Sequence, residues 1–409
     1  MMKRKIILTI FIITLLFTTC NIVYNVSASY HLRQLCVDTN GDTSTVCDSK
    51  YDMNETNVKN RMVYQHLGNT GLMVSRLSYG AWITFGNQID VDQAYEIMKF
   101  CIERGVNFFD NAEAYANGVA ETMMGNALQK IFQTMPDVTR EDLVITTKIF
   151  FGVKRPLYYP NRVGLSRKHI IEGLKQSLKR MQLDFVDVVF AHRFDHHTPM
   201  EEIVRSFNHV IDQGLAHYWC TSEWSASNIE EAYGVAKRLN LIPPACEQPQ
   251  YNLLHRERFE IEYKDLYIKY GLGTTIWSAL ASGVLTGKYN NGIPENSRLG
   301  LSSLSSFKQQ FLSGKRHGPW EDIIKRVLLL QAMADSIGCT LPQLSIAWTL
   351  KNPHVSTVIM GGTKIHQLND NLGSLLCAEK LTAELMDKIE RIMETKPDVP
   401  RDWTMYTRL

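Results

Sequence analysis

The chain has 409 residues, of which 44% are hydrophobic and 21% charged, an ordinary balance for a folded protein with a sizeable core. Its formal net charge of +2 gives no footing for nucleic-acid binding or for acidic partners. The 8 cysteines form no CxxC pair and no zinc-ligand spacing, and the five from Cys101 onward fall in or beside apolar stretches, where they read as small buried fillers.

In chain order, the first feature is a leader. Met1-Met2-Lys3-Arg4-Lys5 is basic, an apolar run starts at Ile6, and Val26-Ser27-Ala28 puts small residues where a signal peptidase cuts. Residues 1–28 therefore read as a secretory signal peptide or as an uncleaved membrane anchor, although Asn21 and Asn25 weaken a span. With the basic end first, the following chain would face a lumen or the outside. Two glycosylation sequons, Asn25-Val26-Ser27 and Asn54-Glu55-Thr56, lie in this part, as do Cys36 and Cys47, which an oxidising compartment would let pair. The competing reading is a cytoplasmic protein whose domain starts at Met62. Residues 29–61 are polar without clear periodicity and read as a flexible linker.

Residues 62–409 read as one domain. Residues 64–75 carry a turn at Gly68-Asn69-Thr70-Gly71 between apolar flanks, which predicts a hairpin. Strand patterns follow at 77–83, from 106, and at 143–147, 186–191, 216–221, 245–248, 274–278 and 355–360. Helical periodicity fills the intervals, at 90–104, 119–132, 166–181, 200–213, 225–239, 258–270, 322–337 and 342–350. That alternation predicts an α/β fold, a (β/α)8 TIM barrel with an N-terminal β-hairpin closing its bottom. A doubly wound sheet would need a GxGxxG turn after an early strand, an α/β-hydrolase a GxSxG elbow and an NTPase a P-loop; the chain has none of these.

Three successive strands end on ionisable groups. VNFFDNAEAY carries Asp110, Glu113 and Tyr115, LVITT runs into Lys148, and VDVVFA runs into His192. In a barrel of parallel strands these ends converge on one face, where an active site is built.

At these residues the chain resembles the aldo-keto reductases. FFDNAEAY, ITTKIF and VVFAHR carry the resemblance, together with GLSRKHIIEGLKQSLKRMQLDFVDVVFA, NLIPPACEQPQYN, GKYNNGIPENSR and GCTLPQLSIAW. It is nearest the branch that holds the β subunits of voltage-gated potassium channels, and it runs from Tyr64 to about Ile392. The family tetrad of Asp, Tyr, Lys and His falls on Asp110, Tyr115, Lys148 and His192. The chemistry agrees with those types. Reducing a carbonyl needs a hydride on carbon and a proton on oxygen, and a free tyrosine is a poor acid at neutral pH. A neighbouring ammonium such as Lys148 would depress the Tyr115 pKa, and Asp110 would keep that amine charged and oriented. His192 would donate a hydrogen bond to the substrate oxygen as negative charge develops there.

The resemblance also implies cofactor residues. Trp277 would stack on a nicotinamide, with Trp82, Gln88 and Asp110 near the same ring and Ser222 and Gln248 on its carboxamide. Ser278, Leu280 and Ser282 match the pyrophosphate segment. Lys288 and Arg298 lie in the insertion after the seventh strand that in this family straps over the cofactor. Asp370 and Asn371 match adenine-binding positions. Read from the residues alone, Trp277 also fits a core tryptophan, and Lys288 and Arg298 a solvated loop face. Gly361-Gly362-Thr363 follows the last strand and precedes a helix, so its amides suit an anion. With Lys288, Arg298 and Gln367, this favours NADPH/NADP+ over NADH, because a 2'-phosphate needs cationic partners.

The chain departs from the channel branch at Glu223, where that branch has arginine, at Ala279 in place of proline, at Ala81 in place of threonine, and at His192, where channel β subunits usually carry asparagine. Two functions stay open: an NADPH-dependent reductase of small aldehydes and ketones, and an NADPH-binding regulatory subunit docking on a potassium channel α subunit, tetrameric by analogy with that branch. A third is a barrel that keeps the fold without activity. Trp82, Phe150, Phe151 and Trp224 are candidates for the substrate pocket, which would favour bulky or aromatic carbonyls.

Overall fold

The computed structural model describes residues 35–37, 43–44, 62–154, 159–295, 297–301, 305–314 and 318–399. The leader, both sequons and Cys47 lie outside the described residues. Two short strands, β1 (Leu35–Val37) and β2 (Thr43–Ser44), pair antiparallel inside the stretch read as a linker. They extend a hairpin of β3 (Val63–His66) and β4 (Met73–Ser75), giving a sheet in the order β2-β1-β3-β4. The hairpin is the expected one, with Tyr64 opposite Ser75 and His66 opposite Met73. Polar composition did not show that β1 also reaches across the sequence to β3, where Leu35 pairs with Tyr64 and Cys36 with Val63.

The rest is a closed barrel of parallel strands. In chain order these are β5 (Leu77–Gly80), β6 (Phe108–Asp110), β7 (Val144–Ile149), β8 (Val186–Ala191), β9 (Ala216–Thr221), β10 (Cys246–Glu247), β11 (Gly273–Ile276) and β12 (Thr357–Met360). The ring runs β10-β11-β12-β5-β6-β7-β8-β9, and Glu247 against Thr221 closes it. The strands are short, and those at 108–110, 144–149 and 186–191 are buried at every position, so both of their faces are out of solvent and even Thr146, Thr147 and Lys148 are enclosed. Leu67 and Val74 from the hairpin pack among Phe108, Val144, Val188 and Phe190 inside the barrel, sealing its N-terminal end.

Side-chain caps open several of the helices. Asp90 forms a capping box with Gln93 ahead of Val91–Ile102, Ser166 accepts from the His169 amide ahead of Arg167–Met181, and Ser225 does the same for Asn228. One expected helix, 258–270, is broken. A π-turn at Arg258–Glu262 gives way at Tyr263 to the helix Lys264–Tyr270. Periodicity does not see this wide turn, which is fixed by Tyr263 donating to the Trp224 carbonyl and Arg258 pairing with Glu223.

The cysteines need a correction. Cys220–Cys246 and Cys339–Cys377 form disulfides, with Cα atoms 4.8 and 6.1 Å apart, while Cys101 is a free buried thiol. Composition could not show this, because each pair is brought together by the fold: Cys220 and Cys246 face the barrel interior from neighbouring strands.

Candidate active site

The C-terminal ends of the barrel strands surround a cavity of about 840 Å³, well within the range of ligand sites. Every residue assigned in the sequence to the tetrad or to the cofactor lines it except Lys148, which lies just beneath: Trp82, Gln88, Asp110, Tyr115, His192, Ser222, Gln248, Trp277, Ser278, Leu280, Ser282, Lys288, Arg298, Gly361, Thr363, Gln367, Asp370 and Asn371.

Asp110 ends β6 and Lys148 sits in β7, where the register sets Asp110 beside Thr146. The Lys148 ammonium is fully buried and reaches three oxygens, pairing with the Asp110 carboxylate and donating to the Asn111 carbonyl at 2.8 Å and the Tyr115 hydroxyl at 3.0 Å. Asp110 is fixed in turn by Thr146 Oγ1 at 2.9 Å and Gln248 Nε2 at 3.1 Å, both donating to Oδ1. Tyr115 opens a short 3-10 turn whose next two residues, Ala116 and Asn117, have positive φ, a tight bend that turns the phenol inward. The His192 ring stands edge-on to Tyr115, 5.8 Å between centroids.

The electrostatics correct one expectation. Lys148 makes its contact with Tyr115, but burial pushes the phenol well above its ordinary value, Asp110 adds to the rise, and Arg193 is the group that opposes it. Complete burial also lowers the Lys148 ammonium, against the pull of Asp110. The His192 imidazole is held well below its ordinary value by burial, then by the charges of Lys148 and Arg193, so it is neutral at pH 7. Its Nδ1 has no hydrogen-bond partner among the described residues, although it is buried.

The far end of the cavity is cationic. Lys288 and Arg298 are both depressed chiefly by burial, and Arg298 lowers Lys288 further; neither has a carboxylate partner among the described residues. Gly361 has room above its Cα, the nearest atom to an added Cβ being Arg298 Nη2 at 3.9 Å. Beyond it, the helix Ile365–Leu372 has no side-chain cap, although the Thr363 amide is already taken by Gln367 Oε1 at 3.1 Å. Ser278, Ala281 and Ser282 all have positive φ, a run of left-handed non-glycine residues that curls the wall of the cavity. Asp370 accepts from Thr340 Oγ1 and Gln343 Nε2, which hold it at the rim.

Three residues flagged in the sequence lie elsewhere. Glu113 is buried behind the site, accepting from the Phe150 and Gly152 amides at 2.8 and 2.9 Å, and so ties down the loop after β7. Trp224 is completely buried against Phe194, and Phe150 packs on the core; of the four aromatics expected around a substrate, Trp82 and Phe151 line the cavity. Sequence reading missed Arg193, which lines the cavity and donates to the His192 carbonyl at 2.5 Å and to Ser222 Oγ at 3.4 Å. Its position directly after His192 was the available signal.

Fold and site together define a single α/β barrel with an acid, phenol, amine and imidazole gathered at the C-terminal mouth of its strands, beside a long cleft. The chain belongs to the aldo/keto reductase family, whose sequence model matches residues 76–394. It is 49% identical over 343 residues to a protein of Arabidopsis thaliana described as a probable voltage-gated potassium channel subunit beta, covering 84% of this chain and 100% of that one. It is 50% identical over 337 residues to a protein of the same description from Oryza sativa subsp. japonica, covering 82% of this chain and 98% of the other.

Proposed function

We propose that the protein reduces aldehydes and ketones to alcohols with NADPH. The observation that carries this reading is the Lys148 ammonium held between the Asp110 carboxylate and, at 3.0 Å, the Tyr115 hydroxyl, on the wall of a cavity large enough for a dinucleotide and a substrate. The cofactor, when bound, supplies the hydride. Tyr115 gives its proton to the carbonyl oxygen, and Lys148 stabilises the phenolate left behind. The neutral His192 imidazole donates to the same oxygen and aligns it. Trp82 and Trp277 meet edge-on at 5.9 Å and wall the reacting end, excluding water. Lys288 and Arg298, desolvated neighbours without carboxylate partners, suit a 2'-phosphate and favour NADPH over NADH. Ser278, Leu280, Ser282, Gly361 and Thr363 would hold the pyrophosphate end, and Gln367, Asp370 and Asn371 the adenine end. The test is NADPH oxidation by the protein with a panel of aldehydes and ketones. Tight NADPH binding with negligible turnover of every carbonyl would sink the reductase reading.

The names of the two plant relatives favour a second reading, a regulatory subunit that binds NADPH and docks on a potassium channel α subunit. Co-purification with a channel α subunit from a shared membrane would support it, and a tetramer by light scattering is its expected state. The two readings differ in compartment. We propose that the leader sends the protein into the secretory pathway or anchors it in the membrane with the barrel outside the cytoplasm. The two disulfides support an oxidising compartment, and a barrel there cannot meet the cytoplasmic face of a channel.

A further inference from the structure

The resemblance implies an arginine where this chain has Glu223, and a carboxylate next to Ser222 would be expected to weaken an anionic cofactor's grip. Its placement removes that conflict. Glu223 has φ +59°, a left-handed conformation unusual for a residue with a side chain. Its amide donates to Oε1 of the buried Glu247 carboxyl group beneath. The backbone turn aims the Glu223 side chain behind the cavity wall, away from the cavity. There Oε1 accepts from the Trp277 indole N–H at 3.0 Å and from the Gln250 amide at 2.6 Å, while Oε2 pairs with Arg258 at 2.8 Å. Arg258 is presented by the π-turn Arg258–Glu262, and it also donates to the Glu223 carbonyl at 3.2 Å. The carboxylate is thus neutralised on one side and locks an indole on the other. The indole it locks belongs to the Trp277 ring that faces the cavity across from Trp82.

We infer that Glu223 is a positioning residue: held by Arg258, it fixes the plane of Trp277 so that the ring forms a rigid platform for the nicotinamide. This rests on the reading of the cavity as an NADPH site and adds a residue that acts on the cofactor through another side chain. An indole left with an unpaired N–H would swing and cover the cavity wall less well, so the cofactor would be bound more loosely without loss of any direct contact.

The test is a double-mutant cycle on NADPH affinity, measured by calorimetry on the full-length protein with Glu223→Ala, Trp277→Phe and the pair. Phenylalanine keeps a ring and removes the N–H that Glu223 holds. Glu223→Ala in the parent is expected to raise the NADPH Kd about tenfold, the scale of one charge-assisted hydrogen bond. In the Trp277→Phe background the same change is expected to shift Kd less than twofold. Glu223→Gln keeps an acceptor for the indole while losing the ion pair, and it is expected to recover part of the affinity. Equal losses in both backgrounds, or no loss in the parent, would overturn the positioning role, since a general effect on folding would act alike in both. A parent protein that binds no NADPH at all would instead remove the cofactor reading, and this inference with it.

Discussion

In the proposed reduction, Tyr115 would have to give up a proton that burial makes it hold more tightly. A high phenol pKa keeps the donor protonated across the neutral range and matches it to the strongly basic alkoxide that forms, while Lys148 at 3.0 Å stabilises the phenolate. Tyr115→Phe should therefore lower kcat by about 10²–10⁴-fold with NADPH affinity near that of the parent. A fall in affinity that matches the fall in kcat would place the phenol in binding instead. His192→Asn keeps a hydrogen-bond donor and is expected to cost less. The depressed imidazole pKa adds a pH prediction: His192 stays neutral as pH falls through 6.5, so kcat should show no acid limb there. A limb centred on 6.5 would mean that the ring titrates as an ordinary histidine. Glu247 gives a stability prediction with the opposite lever. Burial raises its carboxyl to about 8, Glu223 nearby raises it too, and Thr221, the Glu223 amide and Arg258 oppose the rise, with Tyr263 close by. A folded-state value above the unfolded one means that the stabilisation is complete below about 4.5 and is lost as pH rises through 8. Glu247→Gln, which mimics the protonated acid, should gain on the parent in melting temperature between pH 5 and pH 8. A gap that does not change with pH would show that Glu247 is ionised throughout.

At the scale of elements, what was legible followed from local chemistry. The strands β6, β7 and β8 begin on apolar residues, and each of the polar groups Asp110, Lys148 and His192 lies at or next to the last residue of one, so strand and site could be read together. Ser166 and Ser225 each open a helix by accepting from the amide three residues on, a local bond. Asp90 is a measurable case: it accepts from the Gln93 amide at 2.9 Å, and Gln93 returns the bond at 3.1 Å. Asp90→Ala should cost about 1 kcal/mol in chemical denaturation, with the slope unchanged; no change in the midpoint would mean that the first turn of Val91–Ile102 is held by packing alone. What escaped the sequence is non-local. Glu223 and Trp277 are 54 positions apart, Tyr263 and Trp224 39, and no periodicity encodes a bond across such a gap. The π-turn at Arg258–Glu262 and the displacement of Trp224 into the core both follow from those bonds.

At the scale of the whole molecule, the question is which compartment the barrel is built for. The proposed secretory route rests on the basic and apolar composition of residues 1–28, and the disulfides agree with it. Each closes a sizeable loop, with sequence separations of 26 and 38, for which chain-entropy estimates give about 3–4 kcal/mol apiece. They also sit behind the two ends of the cleft. Cys220 and Cys246 stand two residues before Ser222 and Gln248, and Cys339 directly precedes Thr340, which holds Asp370. If the cleft holds NADPH as proposed, reduction should lower the melting temperature and loosen the cofactor at once, since the same covalent ties brace both ends. The decisive measurement is alkylation of the protein, denatured without reductant after purification from its native host, followed by peptide mapping. Modification of Cys101 with protection of Cys220, Cys246, Cys339 and Cys377 is the expected pattern, and glycosylation at Asn54 would accompany it on the lumenal route. Modification of all five would mean that the barrel works with free thiols, as a cytoplasmic protein does, and would return the channel-docking reading to equal standing with the reductase.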